Sequence, residues 1–256
     1  AITRGHTVAQ NKEAIAILRD LGFKLNFHMM LGLPTVSKEE DVAGLRLLFT
    51  DSDYMPDMLK LYPLMVMPKT PLELDFNQGR FEPLSTQGAA DIIVQATPFI
   101  SEYCRVMRVQ RDIPTYSVVG GVNRTNLRQY VDKELNKQHS TPRDIRSRES
   151  GRKKATQTPC LQTVVREYVA SKGKEFFIAI EDVANDVLLG FARLRFPAQQ
   201  LREEITPTTA LLRELHVYGS AIGVGETDSD SAQHKGYGKQ LLMRASEIAK
   251  QNNYNQ

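Results

Sequence analysis

Apolar residues in the first 115 positions alternate between helical spacing and short continuous runs. Residues 7–22 repeat apolar side chains every three or four positions, and this pattern predicts a helix. Residues 24–34, KLNFHMMLGLP, form a run that predicts a buried strand ending in a turn at Gly32 and Pro34. The same two patterns alternate further along the chain, where they predict helices over 37–49 and 85–100 and strands over 58–67 and 105–114.

The order strand, helix, strand, helix, strand predicts parallel strands joined by crossover helices, which is an α/β fold. Ligands of such folds meet the carboxyl ends of the strands. Those ends carry the segments HMMLGLP, YPLMVMPKT and VQRDIP. Because the chain opens on a loop and enters a helix directly, we expect the last part of an α/β barrel whose first half lies outside this sequence.

The second half of the chain follows a different pattern. Residues 116–158 lack long apolar periodicity and predict only a short helix over 127–135. The remaining pattern predicts a helix over 161–173, strands over 176–183 and 187–197 joined by a turn, a strand over 210–222 and a helix over 235–251. This order does not repeat the first half, and it predicts a mixed sheet in a second domain that begins near residue 150.

The composition is that of a globular protein, with 41% hydrophobic and 25% charged residues in a chain of 256. We expect no membrane span, because no run of about 18 apolar residues occurs. The N-terminal residues also lack the apolar core of a signal peptide. Only Cys104 and Cys160 are present, which excludes a disulfide framework and a CxxC metal site. We therefore expect a cytoplasmic protein with reduced thiols.

The net charge is only +3, but basic residues concentrate in the segment RDIRSRESGRKK. One interpretation is a solvated linker between domains. The other is a surface whose cations bind the phosphates of a nucleic acid. The basic residues of this segment are Arg143, Arg146, Arg148, Arg152, Lys153 and Lys154.

The segment QHKGYGKQLL places two glycines where the last predicted helix begins. A helix N-terminus offers unpaired N–H groups and a partial positive charge, so it can bind an anion. Glycine at this position lets the backbone turn sharply and approach that anion closely. A simple capping turn would use the same residues, and the glycine pair alone does not decide between the two.

The neighbouring residues make this segment resemble a known pattern. Q-x-x-G-x-G after a strand is similar to the loop that holds the pyrophosphate of acetyl-CoA in GNAT acetyltransferases, and the strand LLRELHVYG resembles the strand along which these enzymes hold pantetheine. The resemblance implies acetyl-CoA contacts at Gln233, His234, Lys235, Gly236, Tyr237, Gly238, Lys239, Glu214, Leu215, His216 and Val217.

A larger resemblance covers nearly the whole chain. The motifs RGHT, HMMLGLP, VQRDIP, DIRSRE, LLGFARLRF, RELHVYGS and QHKGYGKQLL occur together in this order. The set resembles the family of the Elongator catalytic subunit, which joins a radical-SAM domain to a GNAT-like domain. It implies the C-terminal part of a radical-SAM partial barrel in residues 1–115, a basic linker in 116–158 and a truncated, mixed α/β GNAT-like domain in 159–256.

The resemblance also implies a function. Members would carboxymethylate C5 of the wobble uridine, U34, of tRNA, using acetyl-CoA, S-adenosylmethionine and a [4Fe-4S] cluster. The partners would be the anticodon stem-loop of tRNA, contacted by the basic segment, and accessory Elongator subunits. Two alternatives remain: a non-catalytic module that binds tRNA and acetyl-CoA, and a protein lysine acetyltransferase.

The sequence departs from the family pattern at three places. It lacks the cysteine triad that binds the cluster, so we expect those ligands outside this chain and the given residues alone to be inactive. Further strands and a tyrosine-rich segment are expected after the closing helix. Many relatives hold a structural zinc near the basic linker, but Pro142 and Ser147 stand where thiolates would be needed. We expect no metal site in these residues.

Individual site residues keep alternative interpretations. His28, Met30 and Gly32 would lie on the S-adenosylmethionine side of the barrel, or they would only pack at a strand end. Lys60 is a candidate catalytic residue, and it shares one strand face with Tyr62. Arg111 and Asp112 would contact substrate or pair with each other.

Glu214 is the second candidate catalytic residue. A carboxylate beside the thioester could act as a general base. It could equally pair with Arg213 or Arg193.

Overall fold

The computed structural model describes residues 4–153, 156–218 and 236–254. Its contacts divide the chain into two compact units. The first contains Asn26–Asp51 and Met55–Asp144, and the second contains His6–Leu25, Ser52–Tyr54 and the described residues from Ile145 onward. The first helix, α1 (Val8–Asp20), therefore belongs to the second unit. The assignment of residues 1–115, 116–158 and 159–256 to family domains stays a prediction.

The first unit is built on a parallel sheet in the order β1-β2-β3. Its elements in chain order are β1 (Asn26–Leu31), α2 (Lys38–Thr50), β2 (Met58–Pro63), α3 (Pro71–Asn77), α4 (Thr86–Ala96), β3 (Arg105–Arg108) and α5 (Leu127–Lys137). The predicted alternation and the parallel pairing are confirmed. Leu59 and Leu61 of β2 are fully buried, as are Ala89 and Ile92 of α4, so the core of this unit contains side chains of the central strand and of α4.

Local signals set the helix ends of this unit. The capping box predicted before α2 is confirmed, because Glu40 N–H donates to Ser37 Oγ at 3.2 Å and Ser37 N–H donates to Glu40 Oε2 at 2.7 Å. These hydrogen bonds from Ser37 lower the pKa of Glu40. In the second unit, the capping box of α1 uses Thr7 and Gln10 in the same way.

Strand β3 is shorter than the predicted range 105–114. Its edge is occupied by side chains, since Val106 N–H donates to Asp144 Oδ2 and Val106 O accepts from Arg128 Nη2, both at 3.1 Å. These contacts satisfy backbone groups that an edge strand would otherwise expose. After β3 the chain forms a loop in which Gln110 receives a hydrogen bond from Leu127 N–H.

The second unit is built on an antiparallel sheet in the order β4-β5-β6-β7. Its further elements are α6 (Ile145–Arg148), β4 (Leu161–Ala170), β5 (Gly173–Asp182), β6 (Val187–Phe196), β7 (Leu211–Val217) and α7 (Tyr237–Gln251). The strands predicted over 176–183 and 187–197 and the closing helix are present. The strand predicted over 210–222 is present as β7, and its residues 219–222 lie outside the described residues. The prediction of a mixed sheet is wrong for the described strands, because all three of their pairings are antiparallel.

The helix predicted over 161–173 is also wrong, because this segment is strand β4 and the turn that follows it. The segment is rich in β-branched and aromatic residues, which favour strands even where the apolar spacing also suits a helix. Ser171 and Lys172 connect β4 to β5 with φ angles of 48° and 66°. Positive φ at both residues is typical of the two-residue type I′ hairpin turn.

Helix α7 packs on one face of this sheet. The core contains Phe176, Ile178 and Ile180 of β5, Ala192, Leu194 and Phe196 of β6, and Tyr237, Leu241, Ala245 and Ile248 of α7. The Tyr254 ring stacks on Phe196 with centroids 3.8 Å apart and holds the segment after α7 against the sheet. The position of α7 relative to the sheet is therefore set by burial of an apolar face.

Charged side chains fill part of the opposite sheet face. Arg195 Nε donates to Asp20 Oδ1 at 2.8 Å and Arg195 Nη1 donates to Glu175 Oε1 at 2.9 Å. Glu175 also accepts from Arg213 Nη2 at 3.0 Å. All four side chains are fully buried, and Asp20 lies at the end of α1, so this network joins the helix to three strands.

None of the helices in the described ranges is long and apolar enough to cross a membrane.

Candidate functional site

The open face of the parallel sheet carries polar side chains. Along β2 the buried residues Leu59 and Leu61 alternate with the partly exposed Lys60 and Tyr62, because successive side chains of a strand point to opposite faces. In the register of β1 and β2, His28 lies beside Lys60 and Met30 beside Tyr62. The structure thus brings together the predicted residues of β1 and the candidate catalytic lysine.

Tyr62 is in contact with two basic side chains. The His28 ring meets it edge to face, with centroids 5.6 Å apart and planes at 86°. The guanidinium carbon of Arg111 lies 5.8 Å from the Tyr62 centroid, within cation–π range. Partial burial lowers the pKa of His28, and the positive charges of Lys60 and Arg111 lower it further. The imidazole is therefore held in its neutral form at neutral pH.

Arg111 lies in the loop that follows β3. Asp112 does not pair with Arg111; it pairs with Arg108 four residues before it. Arg111 instead lies over Tyr62. The sequence named Arg111 as a candidate, but it could not show that this side chain meets Tyr62 and His28, since the three residues come from separate segments.

Gly32 has a structural explanation. Its φ is 71°, a conformation that L side chains rarely adopt, and an added Cβ would lie 2.6 Å from Leu84. Its N–H donates to Asp41 Oδ2 at 2.7 Å. The backbone conformation and the packing of Leu84 therefore account for this glycine, and the S-adenosylmethionine contact predicted for it remains a prediction.

Glu214 of β7 is held by two cations. Its Oε2 accepts from Arg193 Nε at 2.8 Å and its Oε1 accepts from Lys24 Nζ at 3.0 Å. Pairing with Arg193 was one of the two structural alternatives, whereas Arg213 pairs with Glu175. Since each carboxylate oxygen already accepts from a cation, the geometry favours a structural role for Glu214 over a general base.

The rest of β7 divides its side chains between two environments. Val217 packs against the core under α7. The His216 ring lies 4.5 Å from that of Tyr218 and 5.9 Å from that of Phe191, so it belongs to an aromatic cluster. Leu215 is 44% exposed.

The N-terminus of α7 fits an anion site in its described part. Gly236 is the N-cap with φ 75°, and no side chain of the described residues caps the helix. Within the same described ranges, nothing lies within 4 Å of a Cβ added at Gly236, and one added at Gly238 would reach Val217 at 3.9 Å. The first turn contains no acidic residue and includes Lys239. Free N–H groups beside a lysine suit a phosphate.

The other residues of this predicted loop are less informative. Tyr237 is only 8% exposed and packs in the core, which leaves its backbone as the group that could face a ligand. Gln233, His234 and Lys235 lie outside the described residues.

The basic segment is largely engaged in ion pairs within the protein. Arg148 is fully buried and its Nη1 donates to Glu181 Oε1 at 2.9 Å. Lys153 Nζ pairs with Asp186 at 2.8 Å, and Arg152 pairs with Glu149. A buried arginine cannot reach a phosphate backbone, so Arg148 is removed from the predicted nucleic-acid contacts.

The remaining members of the segment are more accessible. Arg143 is half exposed and pairs with Glu102 at 2.6 Å. Arg146 is partly exposed and has an interaction partner, and Lys154 lies outside the described residues. The nucleic-acid contacts predicted for these residues remain predictions.

Glu181 is the buried carboxylate that pairs with Arg148 of the basic segment. Burial raises the pKa of Glu181, but the hydrogen bond from Arg166 and the charges of Arg148 and Arg166 outweigh burial, so the net pKa is lowered. Arg166 donates to both Glu181 oxygens, at 2.8 and 3.0 Å. Nearby, Thr156 N–H and Gln157 N–H both donate to Asn185 Oδ1, at 2.8 and 2.9 Å.

The residues of this chain do not fit an iron–sulfur cluster. Such clusters use about four cysteine thiolates, and the only cysteines are Cys104, which is buried, and Cys160, which is exposed. The described residues also contain no group of three or more His, Cys, Asp or Glu side chains placed to hold a metal ion.

Comparison with known proteins gives consistent matches over this fold. Residues 56–137 match a family model described as the Radical_SAM C-terminal domain. A tRNA uridine(34) acetyltransferase of Methanocaldococcus infernus is 39% identical over 97% of this chain and 48% of its own length. Elongator complex protein 3 of Saccharomyces cerevisiae is 35% identical over 97% of this chain and 46% of its own.

A solved structure agrees with the sequence matches. The archaeal Methanocaldococcus infernus Elp3 with an N-terminal deletion superposes with a TM-score of 0.89 at 38% identity, covering 98% of this chain and 60% of that one. The chain thus spans about half the length of the curated relatives it matches. The GNAT-like assignment of the second unit stays a prediction. The α/β fold with a radical-SAM C-terminal part is confirmed, and the chain belongs to the family of the Elongator catalytic subunit.

Proposed function

We propose that this chain is part of an enzyme that modifies C5 of the wobble uridine of tRNA, with acetyl-CoA as the acyl donor and S-adenosylmethionine as the radical source. The methyl carbon of the acetyl group and C5 of the uridine would each lose one hydrogen as the two carbons bond, with S-adenosylmethionine as the oxidant that leaves as methionine and 5′-deoxyadenosine. Hydrolysis of the thioester would then release CoA and leave a carboxymethyl group on C5. The enzyme is then a tRNA carboxymethyluridine synthase. The observation that carries the proposal is the match over 97% of the chain to proteins named tRNA uridine(34) acetyltransferase.

The geometry of α7 supports the proposed binding of acetyl-CoA. Its N-terminus begins at Gly236 without a side-chain cap, and Gly238 lies beside Val217 of β7. The pyrophosphate would bind the free N–H groups of α7, and the pantetheine arm would follow β7. Gln233, His234, Lys235 and Lys239 would add polar contacts to the same anion.

The open face of the parallel sheet supports the proposed binding of S-adenosylmethionine and substrate. His28, Met30, Lys60 and Tyr62 share this face near the carboxyl ends of their strands, where α/β folds bind ligands. S-adenosylmethionine would supply the radical chemistry if a cluster were held by residues outside this chain. This chain contributes the neutral His28 and the charged Lys60 as groups that orient the substrate.

Exposed cations support the tRNA part. Arg143 and Arg152 are each about half exposed, at 50% and 53% of their side-chain surface. Together with Arg146, Lys153 and Lys154 they would contact the anticodon stem-loop, because arginine and lysine bind phosphate oxygens and arginine stacks on splayed bases. Accessory Elongator subunits and a cytoplasmic location are further parts of this proposal.

The test is release of free CoA from acetyl-CoA by the intact protein, measured with and without tRNA. The variants are Gly236→Val and, as a matched control, Gly79→Val. Gly79 has a similar φ of 69° and also nothing within 4 Å of an added Cβ, but it lies in the other unit. We expect tRNA-dependent release that Gly236→Val abolishes and Gly79→Val retains.

The same assay separates the two other functions. A module that only binds tRNA and acetyl-CoA would bind both ligands and release no CoA. A protein lysine acetyltransferase would release CoA in response to peptide rather than to tRNA. Either result would refute the proposed function. The engagement of Glu214 with Arg193 and Lys24 already disfavours the lysine acetyltransferase, since such an enzyme needs a base near the thioester.

A further inference from the structure

Two cations, Lys60 and Arg111, lie near His28 of the parallel sheet. Among the residues that the structure describes, Lys60 and Arg111 form no ion pair, whereas the neighbouring Arg108 pairs with Asp112. Both charges are close enough to His28 to lower its pKa. Arg111 and His28 both meet the Tyr62 ring, and Lys60 lies beside His28 in the strand register.

An unpaired surface lysine or arginine is common and needs no explanation by itself. Here, however, Lys60 is only partly exposed on a strand, and Arg111 is drawn over the Tyr62 ring. In the described part of the chain, both cations act on one imidazole with no counter-charge between them, and their mutual repulsion costs free energy. A bound anion would remove that cost, and binding sites commonly contain charges arranged in this way.

We propose that Lys60 and Arg111, together with Tyr62 and His28, form a subsite for the phosphate group of a nucleotide. The guanidinium fork of Arg111 matches two phosphate oxygens, and the Lys60 ammonium adds a point charge. Neutral His28 supplies one ring N–H to a further oxygen. The Tyr62 ring forms an apolar wall against which the planar base of the nucleotide can lie.

The position of this phosphate subsite agrees with the topology. Tyr62 is the next-to-last residue of β2, and Arg111 follows the end of β3. Ligands of parallel sheets bind beyond these strand ends. The inference rests on the proposed function, because that function makes the RNA substrate the molecule that provides the phosphate. The phosphates of CoA are the competing source of the same chemical group.

His28 provides a reporter for this subsite. A bound phosphate neutralises the charges of Lys60 and Arg111, so it must raise the pKa of His28, by about one unit for a single adjacent charge. The intact protein would be labelled at the histidine ring carbons and titrated by NMR. The His28 signal is assigned with His28→Gln. The ligands are inorganic phosphate, uridine 5′-monophosphate, uridine, CoA and S-adenosylmethionine, at matched ionic strength.

The variants are Arg111→Gln and Lys60→Gln, with Arg108→Gln as the matched control. Arg108 and Arg111 are both exposed and lie three residues apart, but only Arg108 is paired with a carboxylate. Arg111→Gln and Lys60→Gln should each weaken the binding of uridine 5′-monophosphate about tenfold, because each variant loses one charge-assisted contact. Arg108→Gln should leave the affinity within about twofold of wild type.

We expect uridine 5′-monophosphate to raise the pKa of His28 and uridine to leave it unchanged. A rise with CoA but not with uridine 5′-monophosphate would retain the phosphate subsite and overturn its assignment to RNA. No rise with any phosphate, or equal losses in Arg108→Gln and Arg111→Gln, would overturn the inference.

These outcomes are independent of the CoA-release assay. If tRNA-dependent release occurs without nucleotide binding at His28, the subsite fails and the proposed function stands. If the nucleotide binds and no release occurs, the subsite stands and the proposed function fails.

Discussion

Asp41 carries its charge in a place where a charge is unfavourable. The residue is 9% exposed, and burial raises the pKa of its carboxyl group, although the hydrogen bond from Gly32 N–H acts in the opposite direction. A carboxyl group whose folded-state pKa is raised gives its full stability only below its unfolded pKa and loses it as pH rises through the folded value. Ionisation of Asp41 therefore lowers the free energy of unfolding.

Asp41→Asn should remove this penalty and keep the hydrogen bond, because the asparagine Oδ1 can still accept from Gly32 N–H. We expect the variant to be at least as stable as wild type at neutral pH. Its advantage should shrink as pH falls toward the folded pKa of Asp41. Urea unfolding at several pH values measures this, and a variant less stable than wild type at neutral pH would show that the charged acceptor is required.

A second prediction for a single residue concerns Gly32. Gly32→Ala should cost about 1 kcal/mol for the positive φ and about 1–3 kcal/mol more for the overlap with Leu84. The control Gly79→Ala has a similar φ of 69° without a nearby atom and should show only the first cost. The double variant with Leu84→Ala should remove the overlap cost, as a double-mutant cycle of unfolding free energies would reveal. Additive losses would contradict this packing explanation.

At the scale of elements, α1 is fixed by charge more than by apolar packing. Asp20 accepts from Arg195 and also from Ala198 N–H at 3.2 Å and Gln199 N–H at 3.1 Å. Removing one member of a buried ion pair leaves the other charge buried alone. The helix also carries a more exposed pair, Lys12 with Asp53, at 2.9 Å.

Breaking each of these two ion pairs of α1 should lower the free energy of unfolding by very different amounts. Asp20→Ala should lower the free energy of unfolding by about 3–5 kcal/mol, whereas Asp53→Ala should lower it by about 0–1 kcal/mol. Denaturant unfolding of the two variants measures the difference. Similar losses would mean that the buried network contributes no more than an exposed pair.

The elements differ in how far the sequence could predict them. Ser37 and Glu40 predicted the start of α2, because a capping box is read from neighbouring residues. Strand β4 was mistaken for a helix, because its identity depends on pairing with β5 and on a turn at Ser171 and Lys172 that apolar spacing does not report. The charged residues Glu175 and Arg195 within apolar strands were the available signal for the buried network, but only the fold shows that Asp20 meets them.

For the whole molecule, sequence motifs in collinear order predicted the family, which no single segment could do. The site was predicted less fully. His28, Lys60 and Tyr62 could be named from their strands, but the approach of Arg111 depends on a loop. The basic segment looked uniform in sequence, yet the fold separates a buried arginine from exposed ones. Burial of individual cations therefore decides which of them can serve an RNA partner.

That separation gives a prediction about RNA binding by the intact protein. Arg152→Gln and Arg143→Gln should weaken tRNA binding and reduce the slope of log affinity against log salt by about one each, if each cation neutralises one phosphate. Arg148→Gln should leave the slope unchanged, because the residue is buried against Glu181. It should instead destabilise the fold, since Glu181 loses one of its two arginine partners.

Binding isotherms at several salt concentrations, together with thermal unfolding of each variant, distinguish the two effects. The pKa of Glu181 is lowered in the folded state, so the stability from its ion pairs is present above its unfolded pKa and is lost as pH falls through the folded value. Wild type should therefore lose this contribution in acid and Arg148→Gln should lose less. A reduced salt slope in Arg148→Gln with unchanged stability would return this arginine to the RNA surface and refute the division between structural and binding cations.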